Sequence, residues 1–190
     1  MIEFLLASKS PRRKQLLGAL SWPVTVVNID VDESIFSPVP TAAVAEILAI
    51  RKASAYPNKN ILQHQVLLTA DTVVIHRDKV LGKPHSKEDA IAMLKELSGD
   101  VHYVHTGVCL KTRYQSKSFT EKTAVHFKML TDEEINFYVD NFNPMDKAGS
   151  YGIQEWIGMI GVERIEGCYY NVMGLPISRV YSEVKNLMSV

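Results

Sequence analysis

Cysteine is scarce in this chain of 190 residues: Cys109 and Cys168 are the only two. Two cysteines so far apart build neither a disulfide framework nor a metal knuckle, and the role expected of both is that of small buried hydrophobes. Long hydrophobic runs are missing as well. None approaches the ~20 residues that a membrane-crossing helix needs, and the chain opens on a strand pattern without the basic and apolar regions of a signal peptide. A cytoplasmic protein with no membrane partner is the expectation. Net charge is absent too, since Lys plus Arg and Asp plus Glu both number 21. That balance argues against a binder of polymeric nucleic acid. Neither G-x-x-x-x-G-K-[ST] nor G-x-G-x-x-G occurs, so the common phosphate-cradling loops are excluded. Gly-x-Ser-x-Gly and a paired Cys/His signature are absent as well. His102 and His105, three apart in a strand pattern, face opposite sides and do not readily share a metal.

What is present is an ordinary globular composition, 46% hydrophobic and 22% charged, long enough for one sizeable core. No linker, repeat or low-complexity tract divides it, so a single domain over residues 1–190 is expected. Strand and helix patterns are mixed along the whole length, which makes the class α/β. Strands are expected at 2–6, 24–28, 66–75, 101–110 and 116–128, with two short ones near 163–172. Helices are expected at about 11–20, 41–56, 87–97, 132–141 and from Pro176 to about 188. Ser86 with Asp89 is a short-chain version of the capping box, and Thr131 with Glu134 a full one.

The stretch LLASKSPRRKQLLGAL, residues 5–20, contains a contradiction. Ser10 suits an N-cap and Pro11 the first helical position. Yet Lys9, Arg12, Arg13 and Lys14 crowd the helix end whose dipole and unpaired N–H groups favour anions. Either this is a solvated basic helix start, or a polyanion normally sits there, held by the helix end and by guanidinium forks that match phosphate oxygens two at a time. On the second reading, removing Arg12 or Arg13 relieves a dipole conflict and leaves stability unchanged or slightly higher.

A second contradiction is Asp71 in LLTADTVVI. Aspartate is a poor strand residue, and burying a carboxylate is costly unless it is paired or binds a cation. It either caps a neighbouring turn or serves as metal ligand or general base. Asp30, Asp32 and Glu33 follow a strand and open a loop, where carboxylates can gather round a hard cation. Lys52 continues the helical line of Val44 and Leu48 and can point inward. Lys83 sits in the LGKP turn, which can aim a cation at a fixed point. In DKAGSYGIQ, residues 146–154, Gly149 and Gly152 allow close backbone approach to a ligand. Gln154 there offers both a donor and an acceptor to a base edge.

LASKSPRRKQLL, DES at 32–34, KA at 52–53, ADTVV, GKP, SGDVHYVHTGV, DKAGSYGIQ and NVMGLPIS occur in that order. Together they resemble the Maf family of nucleoside triphosphate pyrophosphatases, over residues 5 to about 180. The resemblance implies a two-lobed α/β fold like that of inosine triphosphatase-type enzymes, with a long mixed sheet, flanking helices and a deep central cleft. It implies hydrolysis of a nucleoside triphosphate to the monophosphate and pyrophosphate with a divalent cation, Mg²⁺ or Mn²⁺, by a homodimer. The wording DKAGSYGIQ is similar to the branch acting on dTTP, UTP and related pyrimidine nucleotides. The alternatives are the 7-methyl-GTP branch and a non-catalytic nucleotide-binding regulator of division. Carried over by position, Asp71 is the proton acceptor; Arg13, Thr72 and Gln154 bear on substrate choice; Ser8, Arg12, Lys52 and Lys83 bind the phosphates; and Glu33 with Asp71 holds the metal. Two departures stand out: Asn143 where glutamate is more usual, and Glu155 with Trp156 where small residues are.

Overall fold

The computed structural model describes residues 2–34 and 39–188. In chain order its elements are β1 (Glu3–Ala7), α1 (Pro11–Gly18), β2 (Val24–Val26), α2 (Val44–Ala55), β3 (Gln65–His76), β4 (Lys79–Leu81), α3 (Lys87–Leu97), β5 (Val101–Lys111), β6 (Ser116–Phe127), α4 (Asp132–Phe142), α5 (Trp156–Gly161), β7 (Val162–Glu166), α6 (Tyr169–Val172) and α7 (Ile177–Met188). The strands form one seven-stranded sheet in the order β2-β1-β3-β5-β6-β7, with β4 paired to β3. β1 runs parallel to both β2 and β3, placing Phe4 opposite Val24 and Val66. β4 is antiparallel to β3 and β7 antiparallel to β6, so the sheet is mixed, as expected.

Caps follow local chemistry. Thr131 and Glu134 close the reciprocal box that starts α4. At α3 the Ser86 hydroxyl accepts from the Asp89 N–H at 3.1 Å. The return bond differs from the expected box: the shorter Asp89 side chain accepts from the His85 N–H at 2.9 Å.

Three segments differ from the sequence reading. β4 closes a hairpin with β3 through Arg77 and Asp78, both at positive φ of 46° and 62°. Such a two-residue turn usually announces itself by Asn-Gly or Asp-Gly, and neither is present. α5 is built from WIGMIG, whose glycines are weak helix formers. The second strand expected near 163–172 is the single helical turn α6; its aromatic YYNV composition reads as strand. Gly167, at φ 129°, turns the chain out of β7, and buried Asn171 ties the turn down through its amide to the Val104 carbonyl and the Thr123 hydroxyl.

The chain divides into two compact units, residues 1–71 with 106–121 and 174–190, and residues 72–105 with 122–173. In the first unit Leu5, Ala49, Ala53, Ile61, Leu67 and Cys109 pack together. Small residues along α2 let it lie very close to β5: a Cβ on Gly107 would stand 2.2 Å from the Glu46 backbone nitrogen. In the second unit α3, α4 and α5 contribute Leu94, Leu97, Ile135, Tyr138 and Ile157 to a core that includes Val74 and Phe127.

Candidate active site

β3 is buried along its length except at two positions, Asp71 and Thr72. In the first unit, Lys52 reaches Asp71 from the last turn of α2, a helix end that favours a cation. Its Nζ lies 2.6 Å from Asp71 Oδ1 and 2.8 Å from Glu33 Oε1. The Lys52 and Asp71 side chains are only 14% and 16% exposed, and Glu33 is 57% exposed. One ammonium therefore gathers two carboxylates that are far apart in sequence. The Glu33 loop is fixed from α2 as well: Arg51 donates to the carbonyls of Asp32 at 2.7 Å and Ser34 at 2.8 Å, on either side of Glu33. Asp32 accepts from the Ser34 N–H at 2.8 Å, and its bonds to Ser34 hold its carboxyl below the usual carboxylate range.

At the start of α1, Ser10 is the N-cap, facing the Arg13 N–H at a long 3.5 Å. Arg13 is engaged within the protein itself. Its Nε donates to the Gly174 carbonyl at 2.8 Å, and one terminal nitrogen to the Ser8 hydroxyl at 3.2 Å and the Ala70 carbonyl at 2.9 Å. Burial pulls its pKa below the ordinary value, against the upward pull of Asp71 and Glu33. Arg13 thus pins the end of β1, the residue before Asp71 and the start of the C-terminal segment together, and these bonds argue that its removal costs stability, against the expectation drawn from the helix dipole alone. Arg12 is half-buried on the same turn. Glu33, Lys52 and Asp71 form one group, and Ser8 with Arg13 another that touches the residue before Asp71.

In the second unit, Thr72 directly follows Asp71 on β3 and is half-buried, and Lys83 is exposed just after β4. The LGKP turn and the 146–154 loop meet where the Gly149 N–H donates to the Gly82 carbonyl at 3.0 Å. Gly149 has φ 67°, and a Cβ on it would come 2.9 Å from Val74. Lys83 also lines a cavity of about 330 Å³ with Lys79, His85 and Glu96. Gln154 presents the second signal: its Oε1 is buried and has no hydrogen-bond donor among the described residues. Its neighbours are tied down. Tyr138 on α4 donates to Glu155 Oε2 and accepts from the Gly152 N–H at 3.0 Å, and the buried Lys147 lies 3.1 Å from Glu155 Oε1. Arg51, Tyr138 and Lys147 escape a sequence reading, because each acts through a contact between segments distant along the chain or on an otherwise ordinary helix face.

Among the described residues, no group of three or more His, Cys, Asp and Glu side chains gathers as a metal cage. None of the helices there is long and apolar enough to cross a membrane. The family model described as Maf-like protein matches residues 3–187. A dTTP/UTP pyrophosphatase of Bacteroides thetaiotaomicron is 50% identical over 187 residues, which cover 97% of this chain and 96% of that one. The protein of the same name from Parabacteroides distasonis is 47% identical over 97% of this chain and 95% of its own. That from Christiangramia forsetii is 41% identical over 98% and 95%. Among solved structures, the Staphylococcus aureus Ham1 protein matches with a TM-score of 0.50 at 16% identity, over 95% of this chain and 99% of that one. That likeness concerns the fold alone and agrees with the expected α/β architecture with a long mixed sheet and flanking helices. With the family model and these relatives spanning nearly its whole length, the chain belongs to the Maf-like protein family.

Proposed function

We propose that this protein hydrolyses dTTP and UTP to the monophosphate and pyrophosphate with the help of a divalent cation. The observation that carries the reading is the convergence of Asp71 and Glu33 on Lys52, at the one break in an otherwise buried strand. The names of relatives up to 50% identical over nearly the whole chain support the reaction and the substrates. Two carboxylates suit Mg²⁺ or Mn²⁺, which are commonly held by one or two carboxylates together with substrate phosphates, so Glu33 and Asp71 fit as the protein's share of the ligands. The cation, when bound, neutralises charge on the phosphate oxygens and polarises the phosphorus under attack.

The chain's own residues divide the remaining work. Asp71 takes a proton from the water that attacks the α-phosphorus. The new bond is water oxygen to α-phosphorus; the bond to the α–β bridging oxygen breaks, and pyrophosphate leaves with that electron pair. Ser8, Arg12 and the N-terminus of α1 receive phosphate oxygens, while Arg13 holds the strand that presents Asp71. Lys52 and Lys83 offset the charge that grows on the departing pyrophosphate. The positive charge at the start of α1 is then no contradiction, because the substrate supplies the anion.

Thr72 and Gln154 select the base. Uracil and thymine carry an imide N–H flanked by carbonyls, which satisfies a held amide oxygen and offers an acceptor to the amide nitrogen. A homodimer in the cytoplasm completes the proposal; sedimentation of the purified protein tests the dimer. The reaction is tested by Asp71→Asn. Losing a general base lowers turnover by ~10²–10⁴-fold, with pyrophosphate release from dTTP as the readout and an unchanged melting curve as the control for folding. Near-normal turnover by the folded variant would overturn the assignment of Asp71.

A further inference from the structure

We infer that Tyr138 and Glu155 set the base preference by fixing the position of Gln154, an inference that rests on the reading of Gln154 as the base-selecting group. An amide can discriminate between bases only if it is held still, because a mobile one swivels to satisfy whichever edge arrives. Gln154 carries no bond of its own that would hold its buried oxygen. Its restraint comes from either side in the chain. The Gly152 N–H donates to the Tyr138 hydroxyl at 3.0 Å, and the same hydroxyl donates to Glu155 Oε2. The Glu155 N–H also donates to the Gly152 carbonyl at 3.0 Å. A single phenol thus closes a ring around Gln154, whose buried amide oxygen is left unsatisfied.

The ring is anchored. Tyr138 is fully buried and its ring stacks on Phe142 at 5.3 Å. The other oxygen of Glu155 meets the ammonium of Lys147, a residue only 7% exposed and also paired to Asp146 at 2.8 Å. Burial, followed by the bond to Glu155, raises the Tyr138 pKa well above the ordinary phenol value, so the hydroxyl keeps its proton and remains a donor. Close packing removes the remaining slack: a Cβ on Gly152 would stand 2.7 Å from Glu155 Cδ and 2.9 Å from Gln154 Nε2. Tyr138 and Glu155 are positioning residues: they touch neither base nor phosphate and act through Gln154.

The experiment compares Tyr138→Phe, Glu155→Gln, Gln154→Ala and the double variant Tyr138→Phe/Gln154→Ala, measuring kcat and KM for dTTP and dATP. Tyr138→Phe keeps the ring and loses only the hydroxyl. It is expected to cut the ratio of kcat/KM for dTTP over dATP by about tenfold, mainly through a higher KM for dTTP, a discrimination worth ~1.4 kcal/mol. Glu155→Gln, whose amide oxygen still accepts from the phenol, should lose less. In the double variant the Tyr138 change should add nothing to the loss caused by Gln154→Ala, because residues that act through one another are not additive. If Gln154→Ala flattens the preference while folded Tyr138→Phe and Glu155→Gln keep it, the positioning role is wrong and the base reading stands. If Gln154→Ala leaves the preference intact, the base reading fails and this inference with it. If the two losses simply add, Tyr138 acts by another route and the inference is overturned. Should Tyr138→Phe fail to fold, Glu155→Gln paired with Gln154→Ala gives the same cycle.

Discussion

At Asp71, strand propensity and chemistry pull in opposite directions. The strand rule alone marks the residue as misplaced in LLTADTVVI, and Lys52 likewise shows as a cation on an apolar helical line. Both are legible in sequence because each breaks a one-dimensional pattern. Arg13 is the opposite case. Its residue type and place on the first turn of α1 suggest phosphate, but its side chain also donates to oxygens of Ser8, Ala70 and Gly174. No local pattern reveals where a carbonyl 57 or 161 residues away will lie. Arg13→Ala should therefore destabilise the protein by about 1–3 kcal/mol, the range for leaving buried acceptors unpaired. For a chain of this size each kcal/mol lowers the melting temperature by about 2–4 °C. A calorimetric scan without nucleotide decides the matter; an unchanged melting temperature would return Arg13 to a purely ligand-binding role.

Among the elements, the long strands and capped helices are readable because period, cap and turn residues agree with one another. β4, α5 and α6 are not: the first lacks turn glycine, the second contains too much glycine, and the third has strand-like aromatics. The approach of α2 to β5 is equally hidden, since Gly107 reads only as a weak strand residue. A Cβ there would overlap backbone atoms of Ala45 and Glu46 at 2.2–2.4 Å. Gly107→Ala must push away α2, the helix that carries Arg51 and Lys52. The expected cost is on the order of 3 kcal/mol, the upper end for overpacking, accompanied by lower turnover because Lys52 moves with its helix. Urea unfolding measures the first effect and pyrophosphate release the second. A variant with unchanged stability would show that the helix can shift at little cost.

Considered as a whole, the molecule carries one source of pH sensitivity in its interior. His102 is fully buried with its Nε2 2.7 Å from the Tyr151 hydroxyl. Burial lowers its pKa to about 3; His76 and His126 push the same way and Asp100 opposes them. Because the folded value lies below the ordinary 6.5, the unfolded chain binds a proton that the folded chain refuses. Stability attributable to His102 is therefore present above pH ~6.5 and lost progressively as pH falls towards 3, at no more than about 1.4 kcal/mol per pH unit. Asp100, whose carboxyl is held low first by the Val101 N–H, loses its contribution only below the usual carboxylate range. Denaturant midpoints between pH 7 and 5 should fall for the native chain and stay flatter for His102→Gln; parallel profiles would remove His102 as the cause.

The family is legible from motif order alone, whereas the base rests on one amide oxygen. The most direct measurement is a panel of dTTP, UTP, CTP, dATP, GTP and 7-methyl-GTP, each with Mg²⁺ or Mn²⁺, read as pyrophosphate released per second at matched concentrations. Hydrolysis of dTTP and UTP should exceed that of every purine triphosphate by roughly tenfold to a hundredfold, the worth of one unpaired buried polar group at ~1–3 kcal/mol. Faster release from 7-methyl-GTP or GTP than from dTTP and UTP would contradict the account.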